Sequence, residues 1–300
     1  MRTLLVVNPV AGHGRGKKCF RSLESRFLRE LPGLEVCFSE YPGHAVELGR
    51  KAAEGGIPRI LCLGGDGTAF EVINGLRAGG RPRQTVEIGF IPAGTGNSFL
   101  RDFGISSAEQ ALESILAGRR RLVDLIEFDY TNRGRTERRF SLNILGVGLI
   151  ADILKLTNER LKVFGSLGYS LAVLLRLAKG MDNRIDIEAD GRAWSIRDSA
   201  LVISNSKYTG GRMMIAPHAE VSDGLADLVV FREVNRREIL EIFRRVFSGT
   251  HTKHPKVEMT SAAQISIRGT PPLLVMADGE LLGETPLRIK VMPRELTILA

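Results

Sequence analysis

The chain runs an apolar segment, Leu61-Cys62-Leu63, straight into Gly64-Gly65-Asp66-Gly67, and Thr68 then opens a helical pattern. A buried strand that enters a helix through a turn almost without Cβ atoms is a building unit of an α/β sheet. Glycines around Asp66 let a phosphate chain lie against the backbone, and the first N–H groups of the helix point at the same place. A carboxylate at its centre suits a counter-cation, held directly or through water.

The same grammar recurs up to Asp124. Apolar residues 4–7 lead to a helix through Phe20 and Leu28, and residues 35–38 to a helix from His44. Residues 60–63 lead to a helix over 70–76, and residues 88–91 to one over 108–116. Near-continuous apolar strands alternating with helices predict a parallel α/β sheet with ligands at the carboxyl ends of its strands. Three of those ends carry special loops: Asn8-Pro9-Val10-Ala11-Gly12, Gly64 to Thr68, and Pro92-Ala93-Gly94-Thr95-Gly96-Asn97. They should converge on one sheet edge, with Asn97 as a helix cap. Glu71, one turn into its helix, either reaches the same ligand or complements the helix dipole.

Residues 8–18 do not form a Walker A loop, which would need glycine at Ala11 and a hydroxyl at Lys18. Nor do Gly12, Gly14 and Gly16 complete a dinucleotide fingerprint, because Lys17 occupies the position of the next small residue.

Beyond Asp124 strands follow strands. Residues 122–128, a Thr131-Asn132-Arg133-Gly134 turn and residues 140–147 precede a helical stretch over 150–179. Then come residues 185–189 with an Asp190-Gly191 hairpin signal, 200–204, 225–231, a helix near 237–247, and strands near Ile265, Leu274, Ile289 and Leu296. This predicts an α/β first domain over 1–128 and a β-rich sandwich over 129–293, with the last strand, 294–300, free to rejoin the first domain. Residues 216–225 place carboxylates around a turn, a pattern for a hard cation or a structural turn. Asp278-Gly279-Glu280 ends an apolar strand as a type I′ hairpin turn would. The five histidines show no metal spacing and no nucleophile partner.

A net charge of +8 asks for an anionic partner: nucleic acid, an anionic membrane surface or nucleotide phosphate. With 6% aromatics and no basic stripe interleaved with stacking side chains, nucleic acid is set aside. Cys19, Cys37 and Cys62 are too few and too scattered for a disulfide framework and fit reduced thiols of a cytoplasmic protein. Residues 1–7 are too short an apolar run for a signal peptide. The uncharged stretch 163–175, between Lys162 and Arg176, falls short of the roughly 20 residues that span a bilayer. A soluble or membrane-peripheral chain is expected.

The order of these pieces resembles the diacylglycerol kinase catalytic-domain superfamily, in particular the bacterial soluble lipid kinases related to sphingosine and ceramide kinases. The resemblance spans nearly the whole chain. It implies a phosphofructokinase- and NAD kinase-like nucleotide domain, a β-sandwich lipid-substrate domain, and catalysis in the cleft between them with ATP and Mg²⁺. ATP would contact Asn8, Pro9, Val10, Ala11, Gly12, Ser39, Gly65, Asp66, Gly67, Thr68, Ala69, Phe70, Glu71 and Thr95. A structural Mg²⁺ would be held by Asp223, with backbone carbonyls of Glu220 and Leu225. Glu280 matches the general base, Asp66 supports the nucleotide-bound Mg²⁺ and competes for the base role, and Asp124 joins the acidic network.

The resemblance further implies a lipid substrate with a free hydroxyl, such as diacylglycerol, and a cytoplasmic enzyme peripheral to anionic membrane through Arg119, Arg120 and Arg121. It allows a homodimer. Residues 163–175 would line an acyl pocket, touch the bilayer or pack in the core. Two departures stand out: Ser98 replaces an aspartate common in bacterial members, and Ser39 replaces a common threonine. Sphingoid-type relatives also lack that aspartate, so a sphingoid-base or ceramide kinase, an NAD kinase-like enzyme and a silent nucleotide or lipid sensor are the alternatives.

Overall fold

The computed structural model describes residues 1–80, 85–156, 183–197 and 199–300. The stretch 163–175 lies outside the described residues. The chain divides into two compact units, the first made of Met1–Leu125, Val221–Asp223 and Pro293–Ala300, the second of Ile126–Glu220 and Gly224–Met292.

The first unit alternates β1 (Thr3–Val7), α1 (Ala11–Glu30), β2 (Leu34–Phe38), α2 (His44–Glu54), β3 (Arg59–Gly64), α3 (Asp66–Arg77), β4 (Glu87–Pro92) and, after a 3₁₀ turn (Phe99–Phe103), α4 (Ala108–Leu116). Its strands lie in the order β2-β1-β3-β4, all parallel, with Leu5 opposite Leu61 and Leu63 opposite Ile91. β1 is buried at every position, as a strand covered on both faces must be. Leu23 and Phe27 of α1 and Leu112 and Ile115 of α4 pack with Leu5, Leu61 and Ile91 into one core. The sheet is extended by Thr297–Leu299, which run parallel to Glu87–Gly89 of β4.

β5 (Arg120–Asn132) carries the chain out of the first unit and turns at Arg133 and Gly134, both at positive φ, into β6 (Arg135–Ser141). The second unit continues with β7 (Ile144–Val147), α5 (Leu149–Leu156), β8 (Arg184–Ala189), β9 (Arg192–Arg197), β10 (Ala200–Ser204) and a short ribbon, β11 (Tyr208–Thr209) and β12 (Met213–Met214). After these come β13 (Ala226–Phe231), α6 (Arg236–Val246), β14 (Val257–Ala262), β15 (Gln264–Thr270), β16 (Leu274–Ala277) and β17 (Glu280–Leu299). The strands are antiparallel in the order β14-β13-β10-β7-β16-β17, and β17 also pairs with β15, which leads on to β8 and β9. Val202, Val229, Ile144 and Met276 from the strands meet Ile153 of α5 and Ile242 and Val246 of α6 in its core.

Two local readings are corrected. The helix expected from Thr68 opens at Asp66, with Gly65 at its N-cap. The strand expected over 140–147 is two strands, broken at Leu142 and Asn143, because the N–H groups of both residues turn to the Asp278 carboxylate instead of continuing a ladder.

Candidate active site

Within the first unit the three strand-end loops do meet. The N–H groups of Ala93 and Gly94 donate to the Gly64 carbonyl at 2.7 and 3.0 Å, and Asn8 N–H donates to Leu63 at 2.9 Å. A Cβ on Gly94 would lie 2.5 Å from the Gly65 Cα, and one on Gly65 would lie 3.1 Å from the Gly94 Cα. Glycine is therefore demanded at Gly94 and favoured at Gly65 by the crossing of two backbones, before any ligand is considered. A Cβ on Gly12 would strike the Ala93 carbonyl, so the first loop is held to the third by the same constraint.

Side chains fix this crossing. Asn8 Nδ2 donates to the Thr68 hydroxyl at 3.0 Å, while its Oδ1 accepts from Val10 N–H at 3.2 Å. Arg15 donates through Nη2 to the Gly94 carbonyl at 2.8 Å and through Nε to the Gly12 carbonyl at 3.0 Å, stapling the first loop to the third. Sequence reasoning missed Arg15, which sits in a run of basic residues; only its register three residues beyond the left-handed Gly12 would have singled it out.

Asp66 occupies the first turn of α3, where the helix dipole favours a carboxylate. Burial nevertheless pushes its pKa above the ordinary value, opposed by hydrogen bonds from the backbones of Ser98, Phe99 and Asn97 and from the Ser98 side chain. Ser98 N–H reaches both carboxylate oxygens, at 3.0 and 3.1 Å. Asn97 is not a helix cap. Its backbone is left-handed, and its amide accepts from Gly94 N–H at 3.1 Å and donates to the Gly94 carbonyl at 2.9 Å, closing the loop on itself.

The remaining residues expected at the nucleotide are distributed as follows. Glu71 accepts from Gly43 N–H at 3.1 Å and so orders the loop before α2. Ser39 N–H donates to Val7 at 2.8 Å. Val10 and Thr95 are exposed, whereas Phe70 is buried and offers the site only its backbone. Asp124 is wholly buried; it accepts from Arg294 N–H at 2.6 Å, and its own N–H donates to Val221 at 2.7 Å, gathering the three chain segments of this unit. Arg120 pairs with Glu87 at 2.5 Å, while Arg119 and Arg121 are exposed.

In the second unit Asp278 and Gly279 are both left-handed, the backbone of a type I′ turn, and Glu280 follows as the exposed first residue of β17. Asp278 is buried. Its Oδ1 accepts from Ser141 Oγ at 2.7 Å, Asn143 N–H at 3.1 Å and Ile144 N–H at 2.9 Å, and its Oδ2 from Leu142 N–H at 3.0 Å. Glu220, Asp223 and Leu225 are exposed, Asp223 grouping with the first unit and the other two with the second. Among the described residues no cluster of three or more His, Cys, Asp or Glu side chains forms a metal centre.

A parallel α/β unit with crossing glycine loops, joined in sequence to a β-rich unit, is the architecture of a kinase family. Residues 2–128 match the diacylglycerol kinase catalytic domain, and residues 143–300 match the YegS C-terminal NAD kinase beta sandwich-like domain. The chain belongs to the diacylglycerol kinase catalytic-domain superfamily. It is 26% identical to the diacylglycerol kinase of Bacillus subtilis (strain 168) over 95% of this chain and 91% of that protein. The fold matches the crystal structure of a diacylglycerol kinase from Bacillus anthracis str. Sterne with a TM-score of 0.73 at 22% identity, covering 99% of this chain and 96% of that one. It also matches yeast NADH kinase complexed with NADH, with a TM-score of 0.53 at 10% identity over 99% and 82% of the two chains. Among the described residues no helix is long and apolar enough to cross a membrane.

Proposed function

We propose that the protein is an ATP- and Mg²⁺-dependent lipid kinase that transfers the γ-phosphate to the hydroxyl of a lipid such as diacylglycerol, giving phosphatidic acid. The observation that carries this reading is the convergence of the residue 8–12, 64–68 and 93–97 loops through Asn8, Arg15 and the Gly65–Gly94 crossing, in a chain of this family.

In this reading the backbone N–H groups at the start of α3 bind phosphate oxygens, and Asn8 and Thr68 hold their loops in register for them. Asn8 to Gly12, Ser39, Gly65 to Glu71 and Thr95 form the nucleotide surface. The residues present fit the nucleotide: α3 opens directly out of a loop with glycine at 64, 65 and 67, so its first N–H groups face a turn with few side chains. For its cation, Asp66 is the carboxylate at these loops, and binding there would exchange some of the hydrogen bonds it takes from Asn97, Ser98 and Phe99 for the metal. A Mg²⁺ ion bound with the nucleotide would neutralise charge on its phosphates. Asp223, with Glu220 and Leu225 carbonyls, would hold a structural Mg²⁺.

Glu280 takes the proton of the lipid hydroxyl as its oxygen forms a bond to the γ-phosphorus and the bond to the bridging oxygen of ADP breaks. Arg119 and Arg121 then serve to keep the protein on anionic lipid, which sedimentation with phosphatidylglycerol vesicles against phosphatidylcholine vesicles measures. Equal sedimentation would remove that role.

The function is tested by offering the purified protein γ-labelled ATP with diacylglycerol, with sphingosine and with NAD. Label in phosphatidic acid is expected. Label in NAD, or ATP binding without transfer to any lipid, would overturn the proposal, and label in sphingosine would move it to the sphingoid class that Ser98 resembles.

A further inference from the structure

The turn between β16 and β17 has more acceptor capacity than a turn requires. Asp278 and Gly279 form a two-residue type I′ connection, for which Asn-Gly serves as well as Asp-Gly. The local conformation therefore does not explain an aspartate. What explains it lies across the unit: the Asp278 carboxylate takes four donors from Ser141, Leu142, Asn143 and Ile144, and the Asp278 N–H donates to the Ile144 carbonyl at 3.0 Å. Those donors are the reason that β6 and β7 are separate strands.

The segment receiving the turn is itself fixed from its other side. Asn205 Nδ2 donates to the Leu142 carbonyl at 2.9 Å, Asn205 N–H to the Asn143 carbonyl at 2.8 Å, and the Ser206 hydroxyl to Asn143 Oδ1. Ser141, Asn143, Asn205 and Ser206 are all buried. Buried polar groups tied to one another and to the backbone in this way rigidify what they touch. What they touch is the turn whose next residue, paired across the hairpin with Ala277, is Glu280.

We infer that Asp278 is a positioning residue: it sutures the Glu280 turn to the Ser141–Ile144 link and thereby fixes where the Glu280 carboxylate acts. The inference rests on the proposed base role of Glu280. An asparagine keeps the turn and the acceptor on one oxygen, but it sets an N–H₂ group against the Leu142 N–H, so that bond is lost and the turn is held less firmly. Loss of a group that only orients another reduces turnover without weakening nucleotide binding.

The test is a double-mutant cycle between Asp278→Asn and Glu280→Gln, read as kcat and as KM for ATP with diacylglycerol as acceptor. Asp278→Asn alone should lower kcat by about ten- to hundredfold with KM for ATP within about twofold of the parent. In the Glu280→Gln background the same change should cost less than about twofold, because the group it positions is gone. An equal fall in both backgrounds, an effect confined to KM, or no fall at all overturns the inference. Glu280→Gln turning over at the parental rate instead removes the base role itself, a result read without touching Asp278, and the inference falls with it. If Asp278→Asn does not fold, Ser141→Ala enters the same cycle. That variant removes a single donor and should give a smaller kcat loss that likewise vanishes with Glu280→Gln; a loss that persists overturns the inference.

Discussion

Ser98 donates its backbone N–H to both oxygens of Asp66, at 3.0 and 3.1 Å, so the third strand-end loop hangs on the carboxylate that opens the helix of the second. Asp66→Asn removes the charge while keeping one oxygen to accept from Ser98, at the expense of part of the set of bonds that Asn97, Ser98 and Phe99 make to the second. Burial raises the Asp66 pKa, and an acid raised in the folded state stabilises least where it is ionised. Parental stability should therefore fall, relative to Asp66→Asn, as pH rises from about 4, the unfolded value, through the raised folded value. Thermal unfolding of both proteins across pH measures this, and a constant difference in Tm would contradict it. Activity of the variant should drop by about a hundredfold or more if Asp66 supports the nucleotide-bound cation.

Ser98→Asp tests the same contact from the other side. A second carboxylate beside the buried Asp66 favours protonation of one of the two, so the acid limb of kcat should move to higher pH. An unmoved limb would mean that the new side chain turns away from Asp66.

Gly94→Ala addresses the loop crossing. Its Cβ would sit 2.5 Å from the Gly65 Cα, a distance no side-chain rotation relieves. Forcing the two backbones apart costs about 1–3 kcal/mol. If that is expressed at the nucleotide, KM for ATP rises about ten- to hundredfold. Asn8→Ala, which removes the bonds to the Thr68 hydroxyl and from Val10 N–H, should raise it by about five- to thirtyfold, about 1 kcal/mol for each bond.

Arg77 of α3 and Glu295 of β17 form an ion pair at 2.6 Å, with side chains 5% and 7% exposed. Breaking a buried pair leaves one charge uncompensated, so Glu295→Gln should destabilise the protein by about 3–5 kcal/mol in denaturant unfolding. Replacing both, as Arg77→Met with Glu295→Leu, should cost less than the single change. A double variant less stable than the single would show that the pair contributes net attraction.

Much of this was legible in the residues. Strands buried on both faces, such as β1 and β3, must be apolar at nearly every position, and their length and glycine-rich ends announced a parallel sheet with its special loops gathered at one edge. The left-handed turns at Arg133, Asp190 and Asp278 were each marked by a following glycine. What stayed hidden were partnerships set by tertiary contact. The Arg77–Glu295 pair spans 218 positions, and nothing local to either residue names the other. Asn97 looked like a cap because asparagine suits caps, yet a left-handed backbone with both amide ends on Gly94 serves the same chemistry within a loop. Asp278 read as a turn residue because its four donors come from a segment more than 130 positions earlier, where an expected continuous strand concealed them. The glycines were read as making room for phosphate; at Gly65 and Gly94 they first make room for each other.

β17 begins with Glu280 in the second unit and ends at Leu299, whose neighbours Thr297 and Ile298 pair with β4 of the first. On the ribosome, then, the first unit is begun before the second and completed after it. Until residue 299 has emerged, β4 offers a bare parallel edge along Glu87 to Gly89, a template for unwanted strand pairing during the whole synthesis of the second unit. Nascent chains halted before residue 293 should accordingly be captured by chaperones or aggregate, although every loop residue proposed to touch ATP has already been made.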